Sequence, residues 1–323
     1  MKACRHVQQC LKSVDDYFQG STSNRARGLC YIGIFVGALS ASLVVGGCAS
    51  RLGQFSDLSE AGVAYAEAMD KLLKESGALS IDADSAVLIE SRSGLSSGYD
   101  GERDKRLDKH NKLLKERLII ISYIIRHGEL LKSYFEVLGA LASTNVGEDI
   151  ASASNGIIAE LGKLSPRIAN AEFGDIRIGS LVEPPTRMVV AAFRQAALEK
   201  ELRANAKTIE RELALHTAAI RAVARMWKTD QKIIVEGKSI MNREQFVKNG
   251  PLPKSWAADR RSIIISDSAL GLVDSAIKAS VKLRKAFVKV VQKQVNIEDV
   301  LLLLRDLDDV RALVELVEKD PQG

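Results

Sequence analysis

The 323-residue chain carries 46 basic and 41 acidic side chains, a net charge of +5, and is 46% hydrophobic. That balance is too apolar for a disordered chain and too even for a general attraction to nucleic acid. With 5% aromatic residues and only 6 prolines, it favours long helices over sheets, because strands draw on aromatic residues and tight turns on Pro and Gly.

Residues 1–47 hold Lys2, Arg5, Lys12, Arg25 and Arg27 against Asp15 and Asp16, which leaves 41 basic and 39 acidic residues beyond them. Cysteine use is as lopsided as charge. Cys4, Cys10, Cys30 and Cys48 all lie in the first 48 residues, and the other 275 contain none. From Leu29 to Gly47 there are nineteen residues without a charge, with Arg25 and Arg27 just before them. A basic flank, an apolar run and small residues at its end are the three parts of an export signal. The run ends Val45-Gly46-Gly47-Cys48-Ala49-Ser50.

This ending resembles the lipobox of bacterial lipoproteins, the substrates of signal peptidase II, in which an aliphatic residue and two small residues precede a cysteine. Val45, Gly46 and Gly47 fill the recognition positions. The resemblance covers at most the first fifth of the chain. It implies cleavage before Cys48, a diacylglycerol thioether on Cys48 and an acyl group on its freed amine. Lipid chains at ~0.8 kcal/mol per buried CH₂ hold a protein at the membrane, and three do so almost permanently. Ala49 stands where an aspartate retains such proteins in the inner membrane, so the outer membrane is the expected destination, with the body facing the periplasm. The competing reading is an uncleaved anchor, since nineteen apolar residues span ~29 Å and Gly33 and Gly37 form a small-xxx-small pair. Residues 1–28 read as an overlong n-region or as an N-terminal extension. Residues 48–56 read as a lipidated tether and 57–323 as the folded body.

In the body the spacing predicts helices almost throughout. Val63, Met69, Leu72 and Leu73 follow Ser56 and Asp57 as an N-cap, with Gly77 as the stop. A second short helix is expected from Asp82 or Asp84, capped by one of them, and Ser91–Gly101 reads as a loop. Leu107, Leu114, Leu118, Ile121 and Ile125 open a helix from Glu102 to Ala142, bent near Gly128. Ile150, Ile157, Leu161 and Leu164 mark another from Glu148 to Ile168. Pro184-Pro185 is placed as the first turn of a very long helix, Thr186 to about Lys232, whose stripe runs through Leu198, Leu202, Ile209, Leu213, Ile220, Val223 and Trp227. At 1.5 Å per residue that rod is ~70 Å long and needs a partner along its stripe. Gly237–Pro253 reads as a hinge. Asp267 and Asn296 then start two last helices, and Ile263-Ile264-Ile265 is the best strand signal. The expected fold is all-α: an elongated antiparallel bundle of five to seven helices, one of them coiled-coil-like.

No nucleophile, phosphate-loop or dinucleotide motif occurs, and the body's histidines, His110, His127 and His216, have no histidine or cysteine at i+3 or i+4. His216 reads as a polar residue in a helix seam. Asp306, Asp308 and Asp309 read as a solvated acidic face. Lys278, Lys282, Arg284, Lys285, Lys289 and Lys293 form a basic run, whose lysines have the chemistry to meet an anionic surface. These residues point to a non-enzymatic protein without cofactor, metal or nucleic acid: a lipid-anchored envelope bundle that binds or scaffolds another protein. The alternative is a membrane-active effector or immunity-type protein working through its amphipathic C-terminal helices. The two differ in whether the apolar face of residues 267–317 is buried.

Overall fold

Apolar residues at helical spacing become helices along nearly all of the described chain. The computed structural model describes residues 53–93, 100–143, 148–192, 196–269, 273–292 and 297–318. All of them belong to the unit Arg51–Gly323. The helices are α1 (Gly53–Ser93), α2 (Asp100–Ser143), α3 (Glu148–Asn170), α4 (Ala196–Val247), α5 (Trp256–Ala269), α6 (Val273–Val291) and α7 (Ile297–Glu318). A two-residue hairpin, Glu172–Phe173 with Ile176–Arg177, and a 3₁₀ turn, Ile178–Leu181, are the other regular elements among the described residues. The class is all-α.

The 52-residue α4 is the central element. Its predicted stripe is buried from Leu198 to Trp227. Between Glu212 and Ile220 every residue is buried, so this segment is covered on all sides, by α1, α2, α3 and α6. Ala214, Ala218, Ala219, Ala222 and Ala224 supply the small surfaces that let four neighbours approach.

Cross-helix contacts fix the directions. Lys132 meets Glu67, and His110 meets Asp84, so α1 and α2 run antiparallel. Gly62 sits at their tightest approach, where a Cβ would lie 2.3 Å from the Phe135 ring. Arg117 with Asp230 and His127 with Glu212 set α2 antiparallel to α4. Ser154 with Glu201 and Ser165 with Glu212 set α3 parallel to α4. Lys228 with Asp274 and Arg284 with Glu210 reverse α6 against α4, and Ser275 with Asp309 and Lys282 with Asp306 reverse α7 against α6. Tyr65 lies against His216 while Ser80 bonds Asp230, so α1 runs parallel to α4.

Several expected boundaries move. The long helix spans 196–247, not 186–232, and Pro184-Pro185 lie in an extended segment instead of its first turn. Gly77 does not stop α1. It is buried beneath Leu118, where a larger residue would crowd the neighbour, and the separate helix at Asp82 or Asp84 does not exist. Asp84 is therefore no cap; it holds His110 at 2.7 Å. Ser56 and Asp57 likewise lie inside the first turns of α1. Gly237 lies within α4, so the predicted hinge contracts to the segment after Val247. Ile263-Ile264-Ile265 is helical, and Asp267 is inside α5 instead of starting the next helix. Asp306 is buried beside Lys282, 2.7 Å away, while Asp308 stays exposed as expected.

Candidate functional site

The lipobox residues Val45, Gly46, Gly47 and Cys48 lie outside the described residues, as does Lys293. The other four lysines of the basic run are on α6. Lys278 and Lys285 are exposed, whereas Lys282 is half-buried, donating to the Leu302 carbonyl and paired with Asp306. Lys289 is half-buried too. Between them Ala276, Ala279, Leu283, Ala286, Phe287 and Val290 are buried. The α6 apolar face therefore belongs to the bundle interior, and on α7 Leu303, Leu307 and Val310 are buried likewise.

Three polar groups of the interior converge where α2, α3 and α4 meet. Glu212 and His216 share one face of α4 because they are four residues apart. His127 Nε2 is 2.9 Å from Glu212 Oε2, and His127 Nδ1 is 3.2 Å from His216 Nδ1, with the two rings stacked. Ser165 donates to the same Glu212 oxygen at 2.5 Å. With the carboxylate accepting from His127 Nε2–H, the pattern assigns His127 Nδ1 as acceptor and His216 Nδ1–H as donor. Burial, the foremost cause, holds His216 well below the usual histidine range. Tyr65 closes the site from α1, edge-on to His216 and bonded to Ser280 at 2.7 Å; burial raises its hydroxyl pKa. His127, Tyr65 and His216 are each 1% exposed or less, while Glu212 keeps 11% of its side chain exposed and Ser165 is half-buried. This chain of groups is an internal polar seam.

A second buried group is a clamp. Arg284 on α6 directs Nε and Nη2 at Glu210 Oε1, 2.9 and 2.6 Å away, and Nη1 at Glu183 Oε2, 2.8 Å away. Nη2 also donates to the Pro184 carbonyl, and Thr186 N donates to Glu210. Arg221 takes the other Glu183 oxygen, and these two guanidinium groups, Arg221 foremost, hold the Glu183 carboxyl below its ordinary range. The clamp explains the extended chain at 183–186: its polar groups are satisfied by side chains of α4 and α6, which a helix there would have forfeited.

A surface cleft near the α1–α2 turn is lined by Leu88, Ile89, Arg92, Arg106 and Leu107. None of the strongly displaced titrating groups, Tyr65, Tyr134 and His216, lines it.

The other exposed feature is the hairpin of α4 and α5. Among the described residues thirteen large hydrophobic side chains are exposed, and six of them lie between 240 and 264: Ile240, Met241, Phe246, Val247, Leu252 and Ile264. The hairpin is ordered by Asn242, which donates to the Trp256 carbonyl while the Trp256 indole donates to the Asn242 carbonyl. Phe246 stacks on Trp256, and the Arg260 guanidinium lies 5.9 Å from its ring centre. Spacing alone did not reveal this patch, because a hinge was expected there. The signal that was present is that apolar residues, Ile240, Met241, Phe246 and Val247, continue past Gly237.

No helix among the described residues is long and apolar enough to cross a membrane, and no group of three or more His, Cys, Asp or Glu among them is arranged to hold a metal ion. No known protein family, no curated protein and no solved structure matches the chain.

Proposed function

We propose that this protein is a lipid-anchored scaffold of the bacterial envelope, tethered through Cys48 and holding a protein partner on the periplasmic side. The observation that carries the reading is the end-to-end arrangement of the body. The chain enters helix α1 at Gly53, within the segment 48–56 expected as tether, and α1 runs parallel to α4, whose far end is Val247. At 1.5 Å per residue the two ends are roughly 60 Å apart. A body anchored at Gly53 thus carries its exposed far-end surfaces well away from the lipid.

Two further observations support a binder over a catalyst or a membrane-active effector. His127 and His216 are buried between helices, and Leu283, Phe287 and Val290 of α6 with Leu303, Leu307 and Val310 of α7 are packed inward. An effector working through those helices would first have to break the bundle, at a cost comparable with the whole stability of a domain.

Processing is the primary test. Intact mass spectrometry of membrane-extracted protein is expected to show a chain that begins at Cys48 and carries lipid mass. The variant Cys48→Ala is expected to accumulate uncut. Recovery of peptides from residues 1–28 in the mature protein overturns the anchor. Crosslinking in native envelopes then tests the scaffold, which requires a reproducible protein adduct that the Cys48→Ala variant loses.

A further inference from the structure

We infer that the tip of the α4–α5 hairpin, at the end opposite the proposed lipid tether, is a contact site for a second membrane and inserts into the interface of that anionic bilayer. The argument begins with direction. At 100° per residue, Ile240 and Val247 point within about 20° of each other, Met241 about 100° to one side and Phe246 about 120° to the other. Asn242 occupies the remaining direction, toward α5. Ile240, Met241 and Val247 thus leave this helix end on the side away from α5 and Phe246 lies over Trp256, with exposures from 60% at Ile240 to 72% at Val247. Arg243, Glu244 and Lys248 stand between them, so apolar and charged groups share the exposed surface.

Charge points the same way. Residues 236–264 hold Lys238, Arg243, Lys248, Lys254, Arg260 and Arg261 against Glu236, Glu244 and Asp259, a net +3. Residues 49–323 together carry only +2, so outside this hairpin the body is slightly negative. Helix α6 is also basic, with Lys278, Lys282, Arg284, Lys285 and Lys289 against Asp274, but there Lys282 and Arg284 are paired with Asp306 and Glu210, whereas the hairpin joins its net positive charge to an exposed apolar surface. Each basic group near an anionic surface contributes ~1 kcal/mol, and long basic side chains keep their charge in the headgroups while their stems lie in the apolar layer.

The Trp256 indole N–H is satisfied within the hairpin, and its ring sits beside Phe246, the pairing of an aromatic group with a basic fringe that marks interfacial anchors.

Trp256 also reports the contact. The chain has two tryptophans, and Trp227 is fully buried in the core. Every buried core side chain among the described residues lies between Phe55 and Val310, so residues 49–323 carry their own core. That soluble form lacks Cys48, which separates this test from the lipid anchor: either idea can fail alone. It is mixed with phosphatidylcholine vesicles, with and without phosphatidylglycerol, some containing brominated acyl chains. The expected result is salt-sensitive binding to the anionic vesicles, with quenching of tryptophan emission by the brominated lipid. The double variant Phe246→Ser, Val247→Ser is expected to bind at least tenfold more weakly with an unchanged helical spectrum. Absence of quenching in the parent overturns the proposal. So does binding that the double variant retains but that is lost on replacing Lys278 and Lys285 by Gln, which places the contact on α6. A site-specific crosslink from the tip to an envelope protein, with no vesicle binding, overturns it in favour of a protein partner.

Discussion

From Leu198 to Trp227, α4 buries its apolar side chains among four helices; from Ile240 to Val247 it carries the same kinds of side chain into solvent, with α5 bonded beside it. The helix is continuous between the two stretches. Residue type does not separate them, and neither does helix propensity. What differs is the cover: the first stretch is enclosed by neighbouring helices, whereas Ile240, Met241, Phe246 and Val247 are 60–72% exposed. An apolar residue is thus evidence of something to be covered, and only the tertiary arrangement says whether the chain itself supplies the cover.

A matched pair of substitutions puts the contrast to its hardest test. Leu213→Asp places an unpaired carboxylate at a position 2% exposed, and the expected loss is about 5 kcal/mol, read by urea denaturation. Ile240→Asp, at 60% exposure on the same helix, is expected to change stability by less than about 0.5 kcal/mol. Equal losses would mean that the far end is packed against something in solution.

The clamp sharpens the comparison for polar groups. Arg284→Met leaves Glu210, 1% exposed, without its guanidinium partner, and removing one member of a buried pair costs about 3–5 kcal/mol. Replacing Glu210 by Met as well is expected to recover much of that loss, because two apolar side chains need no counter-charge. If the single variant melts like the parent, Glu183 and Arg221 hold the 183–186 segment unaided.

The smallest expected effect is a pH slope from the internal seam. The folded state holds His216 below its ordinary value of 6.5, so the unfolded chain takes up a proton there that the folded chain resists. Above about pH 6.5 neither state is protonated at this site and it exerts no pH dependence. As pH falls below that value stability falls, by up to ~1.4 kcal/mol per pH unit for one proton. Thermal melts between pH 7.5 and 5 are expected to show a shallower slope for His216→Gln than for the parent. An identical slope in both assigns the acid sensitivity to other groups.

The elements were legible in the sequence where apolar spacing was regular: the α2, α3 and α7 ranges follow it closely, as does the core of α4. The misplacements have physical causes. Gly77 and Gly237 were given the meaning that glycine has in an isolated helix, where it costs about 1 kcal/mol relative to Ala. At Gly77 a close neighbour helix rewards the missing side chain. Pro184-Pro185 suits a helix start equally well in principle, and what decides against it is Arg284, a hundred residues away in sequence. The His127–His216 contact was invisible for the same reason, since its members are 89 residues apart. The i, i+4 pair Glu212 and His216 was readable as a shared face, but not as part of a larger chain of groups. Arg284 itself hid within a basic run whose exposed lysines draw attention to the surface.

The last buried residue of α4 before its free end is Gln231, sixteen positions short of Val247. That overhang acts as a lever of ~24 Å at 1.5 Å per residue, so a 5° change in its angle moves the tip by about 2 Å. Helix α5 is the strut that sets this angle, pinned at two levels: Lys238 to Ser262, and the reciprocal bonds between Asn242 and Trp256. Small shifts where α5 is fastened thus become large displacements at Phe246 and Val247, and the stiffness of this protein's far end resides in those few bonds.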